Sequence, residues 1–371
     1  MPIEFIGMIG VKPDNPNGAS VHVIGGGIDP EFLKDFAQAH EQADFDKVLV
    51  GYSSSSADGF MVSAFAAQYT DRLGFLLAHR PGFVSPTLAA RKAATLDCFT
   101  RGRLAMHIIT GGSDDEQKRD GDFLSHDERY RRTGEYLAVF RRMLIEATPF
   151  DYEGEFYTLK NAYSEVKPFA PEGIPLYFGG QSDAALPVAA EHCDVFALWG
   201  EPLAAVEAKI AQIRAAAAAF GRSPGFSVSL RPIIAPTEAQ AWEKAHAILD
   251  SVRGAARPAP LGSAAARPQA VGSQRLLQFA DQSEIHDKRL WMAIAAATGA
   301  TGNTTALVGT PEQVAESMLA YYDLGVGTLL IRGFDPLEDA KEYGRELIPL
   351  VRAEVAKRDR ERAKTSVLVG V

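Results

Sequence analysis

The stretch IPLYFGGQSDAA (174–185) ends an apolar run in Gly179-Gly180. Gln181, Ser182 and Asp183 follow before a helical run of small residues. Bare backbone beside polar groups suits an ordinary tight turn, a cradle for a phosphate, or a nucleophile turn. The last needs G-x-S-x-G, and no glycine follows Ser182, so it is excluded. The other two stay open on this stretch alone. Further polar clusters sit after apolar runs: Ser53 to Ser56 in GYSSSSADGF, then His79-Arg80-Pro81, then Thr110-Gly111-Gly112 with SHDERY (125–130) beyond it. Trp199-Gly200, Arg231 and Arg332 end three more.

These residue types exclude some chemistries. His126, Asp127 and Glu128 are adjacent, so on a helix they face different ways and cannot converge on one ion; no metal site is expected. No Ser–His–acid set announces itself, although such triads are spatial. VIGGGID (23–29) is glycine-rich but lacks the strand–helix context and distant acid of a dinucleotide site. Hydroxyls, backbone amides, histidines and arginines suit holding a cofactor and an anion, with the hard chemistry left to the cofactor.

Such groups need a scaffold. Strand-like runs occur at 3–10, 47–53, 73–80, 104–111, 176–180, 194–200, 226–234 and 328–334, alternating with helical stretches. That alternation predicts an α/β (β/α)₈ TIM barrel with insertions, one domain over 1–371. The clusters above would then gather at the C-terminal ends of the strands, where barrels carry their sites. GGQSD at the start of a helix gains weight there as a phosphate cradle. Residues 145–175 predict a small β excursion. Residues 253–289, between the seventh and eighth strands, read as a mobile lid insertion. The final EDAKEYGRELIPLVRAEVAKRDRERA reads as one closing helix, and the apolar end SVLVGV hints at packing on another subunit.

Of the 371 residues, 38 are basic and 47 acidic, a net charge of −9. That balance argues against a nucleic-acid partner. No apolar run is long enough for a membrane, and MPIEFIGMIG lacks the features of a secretion signal, so a cytoplasmic protein is expected. Cys98 and Cys193 fit no disulfide framework and read as buried thiols.

The segments 80–112, 124–144 and PLYFGGQSD (175–183) together resemble the bacterial luciferase-like flavin monooxygenases. The resemblance is closest to the FMNH₂-dependent alkanesulfonate monooxygenase branch. LWGEP, AVGSQR, TALVGTPEQVAE and GFDPLEDA extend it in collinear order over nearly the whole chain. It implies a barrel that binds reduced FMN delivered by a separate NAD(P)H-dependent flavin reductase. O₂ then forms a flavin peroxide that oxygenates a small substrate, in the sulfonate branch cleaving a C–S bond to aldehyde and sulfite. Homodimers or homotetramers are implied too.

By motif position, Thr110 would contact the flavin ring, His126 and Tyr130 would help hold it, and Gly180, Gln181 and Ser182 would hold its phosphate. The substrate end departs from the branch. Ser56 replaces a Cys, Ser229-Leu230-Arg231 replaces Arg-x-His, Phe334 replaces a Tyr, and ATGATGNT (297–304) lacks an Arg. Arg80, Arg231 and Arg332 keep the region cationic, as recognition of a sulfonate or carboxylate requires. Arg231, Ser56 and Arg332 are therefore the expected catalytic residues, and Arg80, Arg231, Trp199 and Phe334 the expected substrate contacts. The alternatives are a sulfone, an amine or another small substrate, an F420-dependent dehydrogenase on the same barrel, or a flavin binder without turnover.

Overall fold

The computed structural model describes residues 2–12, 27–255 and 268–369. Eight parallel strands close into a barrel: Glu4–Ile9, Lys47–Val50, Gly74–His79, Leu104–Ile109, Leu176–Gly179, Val195–Trp199, Gly225–Ile234 and Thr328–Ile331. Closure runs through Glu4 paired with Thr328 on one side and Trp199 paired with Ser229 on the other. All eight expected strands are present, and helices cover the outside. Glycine-rich VIGGGID lies mostly outside the described residues.

Alternate side chains along each strand face the lumen. At the lower end Glu4 accepts from Lys47, from the Tyr177 hydroxyl at 2.7 Å and from Thr328 at 3.3 Å, which plugs the barrel. Burial, with Glu4 beside it, pushes the Tyr177 phenol far up, so it stays a donor. Above the plug Ile6, Leu76, Ala105 and Tyr177 pack with Leu49, Val195 and Leu330. The register, advancing about one residue per strand around an eight-stranded barrel, sets His107 and Ala197 level with Leu49 and Leu330. Met8, Ala78, Gly179 and Ser229 form the next layer. Ile109, Trp199 and Arg332 stand above that.

The burial pattern inverts what a filled barrel shows. In the sixth strand the outward Phe196 and Leu198 are buried, while the inward Val195, Ala197 and Trp199 keep some exposure. His107, Ile109, Gly179, Ser229, Leu330 and Arg332 are likewise part-exposed inward positions. The upper lumen is open because its layer of Ala78, Gly179 and Ser229 is too small to fill it.

Three elements depart from the sequence reading. The seventh strand is ten residues long, and its outer half pairs with an additional strand, Ala306–Gly309, which continues into the short antiparallel strands Leu290–Trp291 and Ile285–His286. The closing helix is two, Pro336–Glu346 and Ile348–Val369, broken at Leu347. Pro349 explains the break, since it has no N–H to continue the helical ladder. Cys98 is exposed, its thiol 3.2 Å from the Lys167 carbonyl, while Cys193 is buried as expected. The β excursion is a hairpin of Phe150–Glu153 and Thr158–Ala162.

The insertion at 253–289 contains the helix Val271–Gln282, which sits over the barrel mouth. Arg275 holds Glu201 with two bonds, at 2.8 and 2.5 Å, and Ser273 donates to the Ala300 carbonyl at 2.8 Å. Gly272 lies against the Trp199 indole, where a Cβ would come within 3.1 Å of the ring. At its leading end Gln269 accepts from the Asp114 N–H at 2.8 Å. Residues 256–267 lie outside the described residues. The final SVLVGV falls where side chains are not described or beyond the described residues.

Candidate cofactor and substrate site at the barrel mouth

Ser125 caps the helix His126–Ile145, and Glu128 answers it in a capping box. That fixes the first turn and turns Tyr130 inward towards the exits of the fourth and fifth strands. Tyr130 is buried, and a Cβ on Gly180 would lie 2.8 Å from its hydroxyl and 2.9 Å from Ala185 Cβ. Only glycine lets Tyr130 and the GGQSD turn approach this closely. The Thr110 hydroxyl is buried 3.4 Å from that of Thr133, on the helix side of the barrel wall. Burial raises the Tyr130 phenol above its ordinary value, and Ser182, Arg129 and Thr110 nearby partly offset it. The His126 ring stands edge-on to Tyr130 at 5.0 Å, with Nδ1 2.7 Å from Asp127.

Gln181 Oε1 is buried with no hydrogen-bond partner, and the buried Ser182 hydroxyl stands beside the Tyr130 phenol without a bond of ordinary geometry. The helix Ala185–His192 starts without a side-chain cap; its Ala185 N–H is taken by the Ser182 carbonyl at 3.0 Å, and no side chain caps the N–H groups that follow. A hydroxyl, an amide and a helix N-terminus around a bare glycine turn are what a phosphate or ribityl chain requires. The residues present therefore fit FMN.

The same deficit continues around the mouth. Ser54 Oγ, two nitrogens of Arg80, His107 Nδ1 and both amide atoms of Gln117 are buried without partners. Buried polar groups are nearly always paired. Eight of the thirteen such atoms among the described residues lie on the second to fifth strands or their exits; the other five are the Nε atoms of Arg129, Arg132, Arg141, Arg222 and Arg352. Gln117 packs on Gly111, whose φ of +103° and bare Cα admit it: a Cβ there would come within 2.1 Å of Nε2.

The expected substrate residues separate into distinct places. Ser56 Oγ donates to the Ser53 carbonyl and accepts the Ser53 N–H, both at 3.0 Å, so its hydroxyl is spent within its own turn. Arg80 lies over Tyr52 at 4.5 Å and bonds Glu116 at 3.3 Å. An open cleft of about 350 Å³ adjoins it, lined by Tyr52, Phe83, Asp120, Asp122 and Arg132. Arg132 there is already paired with Asp122, and Asp120 makes the cleft unfavourable for an anion. Arg231 is wholly buried; it donates to the Asn303 and Gly333 carbonyls at 3.1 and 3.3 Å and stacks on Phe334 at 4.6 Å. It and Phe334 anchor loops. Arg332 faces the lumen, and Trp199 stands in the same layer.

His107, Gln117 and Asn303 also line or brace the mouth and were not singled out from sequence, and Ser54 was named only among the four serines 53–56. Asn303 accepts from Gly200 N–H and donates to the Ser229 carbonyl at 2.7 Å, tying the loop before the additional strand to the sixth and seventh exits. For His107 a signal existed: an imidazole at an inward position of the apolar run LAMHII. Burial lowers its pKa to about 4, so the ring is neutral at pH 7. Among the described residues no group of His, Cys, Asp and Glu could hold a metal ion, and no helix is long and apolar enough to cross a membrane.

Comparison with known proteins gives a consistent setting. A family model described as luciferase-like monooxygenase matches residues 6–328. A riboflavin lyase with modified FMN and riboflavin superposes with a TM-score of 0.76 at 18% identity, covering 95% of this chain and 92% of that one. EDTA monooxygenase from Chelativorans sp. BNC1 gives 0.74 at 18% identity, over 95% and 94%. An F420-dependent secondary alcohol dehydrogenase gives 0.68 at 16%, over 95% and 99%. At these identities the likeness to the solved structures is one of fold.

Proposed function

The chain belongs to the luciferase-like monooxygenase family, and from that premise we propose that it is a two-component monooxygenase using reduced FMN and O₂ to oxygenate a small organosulfur compound, foremost a sulfonate. One observation supports this most: unpartnered buried polar atoms concentrate at the mouth of the second to fifth strands, around a bare-glycine turn. Reduced FMN supplies the electrons that activate O₂. The protein's part is to bind, orient and exclude water. Ser182, Gln181 and the first turn of Ala185–His192 hold the phosphate end. Tyr130 and His126 flank it, with Thr110 behind Tyr130. Ser54, rather than Ser56, offers an uncommitted hydroxyl at the exit of the second strand. The helix Val271–Gln282, locked by Arg275, roofs the mouth and restricts water.

An NAD(P)H-dependent reductase would deliver the reduced flavin, and the protein would act as a homodimer or homotetramer. A second reading, an F420-dependent dehydrogenase, is kept because such an enzyme shares the fold. Turnover distinguishes them. With a flavin reductase, NADH and FMN, the first reading expects sulfonate-dependent sulfite release. Substrate oxidation with F420 in the absence of O₂ would overturn it.

A further inference from the structure

We infer that the upper lumen is a subsite for a small oxyanion, the sulfonate or carboxylate head of an organic acid, gripped by Arg332 from above with His107 presenting a ring nitrogen from the floor. The inference deepens the monooxygenase reading and rests on it.

Arg332 sits on the eighth strand and reaches down into the layer of small residues. One guanidinium nitrogen meets the Met8 thioether at 2.9 Å, and another the Asn303 carbonyl at 3.5 Å. A thioether is a weak acceptor, and 3.5 Å is the limit of a hydrogen bond. No carboxylate pairs with Arg332 among the described residues. Burial alone lowers its pKa, to about 10, so it remains charged at pH 7. Arg231 adds charge of the same sign close by. A cation held largely out of water inside a barrel without a counter-charge is costly unless a ligand supplies one.

The space beside it is made by residue choice. Ala78, Gly179, Ser229 and Ala197 take inward positions where larger side chains would close the lumen. A Cβ on Gly179 would stand 3.2 Å from His107 Cε1, so the imidazole is held against bare backbone at the bottom of this space. His107 lies on the fourth strand, opposite the eighth in a ring of eight. Its Nδ1 is buried without a protein partner, and its Cε1–Nε2 edge is the one that lies against Gly179. A neutral imidazole offers one N–H, enough to take one oxygen while Arg332 takes the others. The arrangement admits an oxyanion, disfavours an amine through Arg332, and gives a neutral sulfone only hydrogen bonds. It also sets the acid head apart from the Gly180–Ser182 cradle, which would hold the flavin phosphate.

Calorimetric titration of the full chain with methanesulfonate, with methylammonium as control and with or without FMN, tests this. Methanesulfonate should bind and methylammonium should not. Arg332→Gln should weaken methanesulfonate about 10- to 100-fold and His107→Gln several-fold, as loss of a charged and a neutral hydrogen bond implies. FMN affinity should stay within about twofold in both. If Arg332→Gln does not fold, Arg332→Lys keeps the charge but not the forked geometry and should weaken binding about tenfold. Unchanged methanesulfonate affinity in the Arg332 variants, equal binding of methylammonium, or displacement of methanesulfonate by FMN would overturn the subsite. Failure of FMN to bind, with methanesulfonate still dependent on Arg332, would sink the flavin reading and leave the subsite standing.

Discussion

Arg275 grips Glu201 through two nitrogens, at 2.8 and 2.5 Å, and so bolts a helix of the insertion to the exit of the sixth barrel strand. Glu201 is almost wholly buried, whereas Arg275 is part-exposed. The pair joins two motifs, LWGEP and AVGSQR, that lie some seventy residues apart in the chain. It also presses Gly272 onto the Trp199 indole above the open lumen.

Removing one partner of such a pair strands the other. Arg275→Gln should cost roughly 3 kcal/mol, because the Glu201 carboxylate is left buried without its counter-charge. The variant should melt several degrees lower. Protease cleavage within 268–282 should become faster than in the parent, read by mass spectrometry of the first fragments. Equal cleavage rates would mean that the pair does not hold the roof.

The glycine turn makes a second test. In Gly180→Ala the new methyl would sit 2.8 Å from the Tyr130 hydroxyl and 2.9 Å from Ala185 Cβ. Tyr130 must then shift, and the cradle narrows. FMN affinity should fall at least tenfold while the circular dichroism spectrum is kept. Tyr130→Phe, which removes only the hydroxyl, should lose a few-fold.

Four histidines should make the fold acid-sensitive. Burial lowers His40, His79, His107 and His192 to about 4 from an ordinary 6.5. Between those values the unfolded chain binds more protons than the native one, so stability rises with pH across that window and falls on acidification. Each contributes on the order of 1 to 2 kcal/mol of loss by pH 5. Urea midpoints at pH 7 and 5 should differ clearly. His40→Gln should flatten the slope, since the His40 ring then no longer needs to be kept neutral. A midpoint independent of pH would contradict this.

Much of the fold was legible because the strands carry period-two or continuous apolar patterns between helices of conventional length. The residues proposed to hold the flavin come together for a different reason: GGQSD and HDERY are contiguous, and local capping and glycine geometry position them. Thr110, Tyr130, Gly180 and Ser182 do meet. The substrate side was not legible in the same way, because a side chain's direction at a strand end depends on register and on loops far away in sequence. Arg231 and Arg332 look equivalent as arginines after apolar runs. The register and Asn303 make one a loop anchor and leave the other facing the lumen. The extra strand Ala306–Gly309 escaped because its four residues pair with the overhang of a long seventh strand and with the two-residue strand Leu290–Trp291, neither of which a local pattern marks.

Anaerobic titration of the full chain with reduced FMN, oxidised FMN and reduced F420 tests the central claim most directly. The groups around Gly180, Gln181 and Ser182 predict saturable one-to-one FMN binding that falls at least tenfold in Gly180→Ala, and the monooxygenase reading predicts that the reduced form binds tighter than the oxidised. Preference for F420, or reduced-FMN binding indifferent to Gly180→Ala, would contradict it.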